Sequence, residues 1–155
     1  MEERLVKVLR QKNKTIASCE SLTAGLFSAT IASIPGASAV LKGGLVTYFT
    51  SMKTVLANVD EELIEQYGVI SKECAIAMAT NTRKIMDVDY AISFTGNAGP
   101  DAWENKPAGR VYCGIAQKEK TDVYEFQFDD MTRNEIRQAV VSKMMEYLLE
   151  TVEKE

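Results

Sequence analysis

Two groups of residues in this sequence have the types and spacing to do chemistry. Ser18, Cys19, Ser21 and Thr23 stand where a short apolar segment, residues 15–19, gives way to a helical pattern beginning near Glu20. A second apolar segment, residues 45–49, carries Tyr48 and leads on to Lys53. A polar cluster at a strand-to-helix turn lies beside main-chain N–H groups without partners, which stabilise an anion or a developing oxyanion. The chain contains no histidine. That excludes Ser-His-Asp and Cys-His catalysis and removes the commonest metal ligand.

A serine nucleophile can instead be activated by a lysine whose pKa has been lowered by burial or by neighbouring positive charge. Ser21 and Lys53 form the natural pair, with Tyr48 placed to hydrogen-bond either one or to pass a proton between them. The Ser21 N–H region, at the expected helix start, would receive the oxyanion of an acyl transfer. Cys19 is a competing nucleophile, although it falls inside the predicted strand and has no histidine to make it a thiolate. Plainer uses exist for the same residues: Ser21 and Thr23 as helix caps, Tyr48 as a strand aromatic, Lys53 as a solvated helix residue.

The elements that must position these groups follow from periodicity. Leu5, Val6 and Leu9 predict a first helix over residues 2–12. Residues 15–17 read as a short buried strand and 20–34 as a helix stopped by Pro35-Gly36. Residues 37–41 are ambiguous, and Gly43-Gly44 launch a strand over 45–49. Ser51 caps a short helix over 52–57, Asp60 caps one over 61–66 closed by Gly68, and Ser71 precedes a long helix over 72–86. Residues 90–94 form a third strand that runs into a glycine-rich loop extending to Pro107. Residues 110–115 and 122–128 alternate as a hairpin, Thr132 caps a final helix, and the charged tail 150–155 is expected to fray. The alternation predicts a three-layer α/β/α domain whose sheet of about five strands is mostly parallel. Ligands bind such sheets at the carboxyl ends of the parallel strands, where the loops after Glu20, Tyr48 and Thr95 should converge.

At 155 residues the chain is one domain, residues 1–155, with a net charge of −4 and so no basic footprint for nucleic acid. Cys19, Cys74 and Cys113 are too scattered for a disulfide framework or a zinc site, and neither a metal nor a cofactor is expected. No signal peptide or membrane-spanning run is visible, which predicts a cytoplasmic protein with no membrane partner. Trp103 in a loop and apolar-rich helices suggest a homo-oligomer. The loop Thr95-Gly96-Asn97-Ala98-Gly99-Pro100-Asp101 lets backbone N–H groups approach an anionic or planar ligand but matches neither phosphate-loop pattern. Arg133 and Arg137, one turn apart, could receive a phosphate or carboxylate or could simply be a solvated face.

Ala17-Ser18-Cys19-Glu20-Ser21-Leu22-Thr23-Ala24-Gly25-Leu26, Ile34-Pro35-Gly36-Ala37-Ser38, Gly43-Gly44-Leu45-Val46-Thr47-Tyr48 and Lys53 carry a family resemblance. It continues at Tyr67-Gly68-Val69-Ile70-Ser71, at Thr95 to Pro100, at Lys106-Pro107-Ala108-Gly109-Arg110-Val111-Tyr112, and at Arg133 with Arg137. Over nearly the whole chain these residues resemble the CinA C-terminal domain, the competence-damage inducible family. The resemblance implies a three-layer α/β/α sandwich and an activity similar to nicotinamide-nucleotide amidases of the PncC type. Those enzymes convert nicotinamide mononucleotide to nicotinic acid mononucleotide and ammonia in pyridine-nucleotide salvage. It further implies Ser21 as nucleophile, Lys53 as general base and Tyr48 as assistant, with a small-molecule nucleotide as substrate. Glu20, Thr23, Gly25, Thr95, Gly96, Gly99 and Arg133 would bind that substrate. The sequence departs from the family's E-S-C-T-G-G at Leu22 and Ala24, and from its G-P-G-G-G at Asp101-Ala102-Trp103. A catalytically silent nucleotide-binding or regulatory domain of the same fold is the alternative these departures raise.

Overall fold

A computed structural model describes residues 1–155 as one sheet of five strands between two helical layers. The elements in order are α1 (Glu2–Gln11), β1 (Ile16–Glu20), α2 (Leu26–Ala32), a 3-10 turn (Ala37–Ala39), β2 (Leu41–Val46), α3 (Thr50–Ala57) and α4 (Glu61–Tyr67). Then come α5 (Lys72–Met86), β3 (Tyr90–Gly96), β4 (Arg110–Ala116), β5 (Thr121–Gln127) and α6 (Arg133–Glu153).

The sheet order is β2-β1-β3-β4-β5. β1 pairs in parallel with β2 and β3, whereas β3 with β4 and β4 with β5 are antiparallel. Four strands therefore run one way and β4 alone runs the other, as the expected mixed, mostly parallel sheet requires. β1 and β3 are buried on both faces, and their polar residues Ser18, Glu20, Ser93 and Thr95 are each hydrogen-bonded within the protein.

Side chains from α1, α2 and α6 close one face of the sheet around Leu5, Leu9, Phe27, Ile92, Phe94, Val140 and Met144. On the opposite face α5 packs with Val59, Ile70, Cys74 and Met78. The caps are where their residue types belong. The side chains of Asp60, Ser71 and Thr132 accept from Glu62 N, Cys74 N and Glu135 N, and the Glu135 carboxylate in turn accepts from Thr132 N.

Four expected boundaries are corrected. The helix read over 20–34 is shorter, because Glu20 still belongs to β1 and positive φ at Ala24 (47°) and Gly25 (97°) breaks the helical path before Leu26. The strand read over 45–49 begins at Leu41 and ends at Val46. Thr47 N makes the last contact, to Glu20 O, after which β1 has turned away and the edge strand has nothing left to pair with. Gly44 lies inside this strand because a Cβ there would come 2.6 Å from Ser28 Oγ and 2.9 Å from Ser18 Oγ. α3 begins at Thr50, so Ser51 lies within it and does not cap it. The C-terminal tail is ordered: α6 continues to Glu153, Val152 is buried, and Lys12 Nζ donates to Val152 O and Glu155 O.

Candidate active site

The carboxyl ends of β1, β2 and β3 open onto a cleft of about 320 Å³. Ser21, Leu22, Tyr48, Phe49, Thr50, Gly96, Asn97, Ala98, Trp103 and Arg133 line it. All three expected loops contribute, together with the first residue of α6. That volume lies within the range of small-molecule sites.

Ser21 is the first residue beyond β1. Its N–H continues the ladder to Phe94 O at 2.9 Å, so it is not available to an oxyanion, contrary to the sequence expectation. The turn that follows is held by Glu20. This carboxylate is fully buried and accepts from Gly25 N (3.2 Å), Phe27 N (2.9 Å), Ser28 N (3.1 Å) and the Ser18 hydroxyl (2.8 Å). Four donors use both oxygens, so the start of α2 is satisfied by the chain's own carboxylate. Ala24 N closes the turn onto Ser21 O at 3.0 Å. The N–H groups of Leu22 and Thr23 make no hydrogen bond within the protein.

Lys53 projects from α3 back beneath the cleft. Only 1% exposed, its ammonium donates to Ser21 Oγ at 3.1 Å and to Thr47 O at 2.8 Å. Burial pushes its pKa below the ordinary 10.5, opposed only by whatever negative charge Cys74, Cys19 and Glu104 carry. Lys53 has no ion-pair partner. Burial raises the pKa of both thiols near it, Cys74 to about 12, and so favours their neutral forms. The thiol of Cys19, the competing nucleophile, is fully buried, 3.7 Å from Thr47 Oγ1.

The other expected residues divide. Tyr48, half exposed, accepts a hydrogen bond from Arg133, whose other terminal nitrogen donates to Gly99 O at 2.6 Å. Neither Ser21 nor Lys53 is a partner of the Tyr48 hydroxyl. Gly96 and Arg133 line the cleft, whereas Glu20, Thr23, Gly25, Thr95 and Gly99 do not. Thr95 is buried and gives its hydroxyl proton to Val69 O at 2.6 Å. Thr23 is fully buried, and its Oγ1 has no partner. Arg137 faces the serine turn: Nε donates to Leu22 O at 2.8 Å and a terminal nitrogen to Thr23 O at 3.1 Å.

Sequence reasoning overlooked Leu22, Phe49 and Thr50 as lining residues and gave Trp103 a different role. Phe49 and Thr50 directly follow Tyr48, and an aromatic beside a polar strand end was the available signal. Trp103 is fixed at the rim by reciprocal main-chain bonds with Lys106 (3.1 and 2.9 Å). Glu104 behind it accepts from Val69 N and Ile70 N at 2.9 and 2.8 Å. The departures divide: Ala24 and Asp101 are exposed and line no part of the cleft, whereas Leu22 and Trp103 form part of its wall.

Fold and site together define a three-layer α/β/α domain with a buried lysine hydrogen-bonded to a serine at the carboxyl end of its first strand. The profile of the CinA C-terminal domain matches residues 1–152, and the chain belongs to that family. Among its relatives, a competence-damage inducible protein of Listeria welshimeri is 40% identical over 154 residues, covering 97% of this chain and 37% of the relative. One from Limosilactobacillus fermentum is 44% identical over 146 residues, covering 94% and 35%. The chain thus spans about a third of the length of the curated relatives it matches. A CinA superfamily protein of Klebsiella pneumoniae superposes with a TM-score of 0.95 at 22% identity, covering 99% of this chain and 96% of that one. A competence/damage inducible protein of Agrobacterium tumefaciens does so at 0.92 and 29%, covering 96% and 91%.

Proposed function

We propose that this domain is an amidohydrolase that deamidates nicotinamide mononucleotide to nicotinic acid mononucleotide and ammonia. The observation that carries the reading is the 3.1 Å contact between a buried lysine without an ion-pair partner and a serine at the cleft floor. Family membership supports it, and the nucleotide is the substrate class the sequence resemblance implies.

In the first step neutral Lys53 takes the hydroxyl proton as Ser21 Oγ bonds to the carboxamide carbon. The carbonyl becomes an oxyanion, and the unpaired N–H of Leu22, a residue of the cleft wall, is the donor the turn leaves for it. As the C–N bond breaks, the Lys53 ammonium returns the proton to the departing nitrogen, which leaves as ammonia. Water then attacks the acyl-serine, giving its proton to Lys53. Collapse releases the carboxylate product and restores Ser21. Arg133 at the rim has the charge to meet a phosphate, and Phe49 and Trp103 offer faces to a flat ring.

Incubation with nicotinamide mononucleotide and assay of ammonia tests the reading. Release by the parent protein well above that of Ser21→Ala is expected. Equal rates would overturn it.

A further inference from the structure

We propose that Arg137 is a positioning residue whose guanidinium sets the direction of the Leu22 main-chain N–H, the amide that receives the oxyanion. The inference rests on the serine reading above.

The geometry is specific to this side chain. Arg137 lies in the second turn of α6, over a hundred residues from the serine in sequence. It is half-buried and makes no ion pair with a carboxylate. Its donors reach two successive carbonyls, those of Leu22 and Thr23, while Asn134 Oδ1 accepts from the remaining terminal nitrogen at 3.0 Å and fixes the plane. In a planar trans peptide the C=O and the following N–H point opposite ways. Drawing Leu22 O onto Arg137 therefore turns Thr23 N–H to the side away from the guanidinium. Drawing Thr23 O the same way turns Ala24 N–H onto Ser21 O, and that bond fixes the peptide whose other end is the Leu22 N–H at the cleft.

On the other flank Glu20 has already taken the N–H groups of Gly25, Phe27 and Ser28. Glu20 thus gathers the turn's later amides, Arg137 gathers its carbonyls, and of the two amides left unpaired, those of Leu22 and Thr23, only Leu22 belongs to the cleft wall. The uncompensated guanidinium charge behind the turn also favours negative charge developing in front of it. A lysine cannot replace this arrangement, because its point charge lacks the planar fork that bridges two carbonyls.

The test uses Arg137→Ala and Arg137→Lys in the full chain with phenylmethanesulfonyl fluoride. This reagent forms a bond from Ser21 Oγ to sulfur, expels fluoride and leaves the proton on Lys53. Labelling is followed by intact mass. Both variants should label about tenfold or more slowly than the parent, below the ~10²–10³-fold cost of deleting an oxyanion donor outright because Arg137 acts through the amide. The Lys53 pH dependence should be unchanged, and added guanidinium chloride should restore part of the rate to Arg137→Ala. A labelled parent with Arg137→Lys equally fast, or a slowed Arg137→Ala that guanidinium does not rescue, overturns this inference alone. A parent labelled no faster than Ser21→Ala overturns the serine reading and this inference together.

Discussion

Lys53 Nζ rests 3.1 Å from Ser21 Oγ with no carboxylate paired to it. A cation buried this completely without a counter-charge is costly, and its proton is correspondingly easy to lose. Only the neutral amine can accept the serine proton. The rate of ammonia release should therefore rise with pH through a titration below 10.5 and then level off. Lys53→Met should lose about 10²- to 10⁴-fold in kcat, the usual contribution of a positioned base. A pH-independent rate would remove Lys53 from the mechanism.

The same proton links stability to pH. Because the folded pKa of Lys53 is lowered, the unfolded chain binds more protons between that value and 10.5, so Lys53 makes the native state more stable as pH rises through this window. Urea unfolding of the parent and of Lys53→Met should show the difference, parent minus variant, increasing with pH. A difference that is flat or falls would mean that the lysine is not destabilised by burial.

Glu20 was expected to bind substrate, and the structure makes it a cap instead. Replacing it with Gln exchanges an acceptor for an amide that confronts N–H groups or the Ser18 hydroxyl. Hydrogen bonds to charged groups are worth about 1.5–3 kcal/mol each. Glu20→Gln should lower unfolding free energy by about 3 kcal/mol, read as a drop in urea midpoint at constant slope. A loss well under 1 kcal/mol would contradict the capping role.

Trp103 is the only tryptophan in the chain and stands half exposed on the wall of the cleft. Nicotinamide mononucleotide added to Ser21→Ala should quench its emission, and Trp103→Phe should abolish the signal while retaining binding by calorimetry. Binding without any change in emission would place the ligand elsewhere.

What the sequence conveyed best was periodic or punctuated. The caps at Asp60, Ser71 and Thr132, the hairpin of β4 and β5, and the alternation behind the mixed sheet all follow from local chemistry. The Ser21–Lys53 pairing was legible because the absence of histidine left few bases to choose from. What was not legible depended on contacts distant in sequence. Nothing local to Glu20 says that its carboxylate will turn inward to meet Phe27 and Ser28. The ends of β2 were misread because an edge strand stops where its neighbour stops, and the two glycines read as a strand start are a close approach to α2. Arg137 resembled a member of a surface pair until the fold brought Leu22 and Thr23 within its reach.

α6 also acts as a spacer. Its first residue, Arg133, touches the cleft, and its last turn carries Glu153, which pairs with Arg4 of α1 at 2.5 Å. Twenty-one residues of helix span about 30 Å. Lys12 and Lys14 hold Glu155 there, so the C-terminus lies at the pole opposite the reaction and a domain fused to it would leave the entrance to the cleft unobstructed.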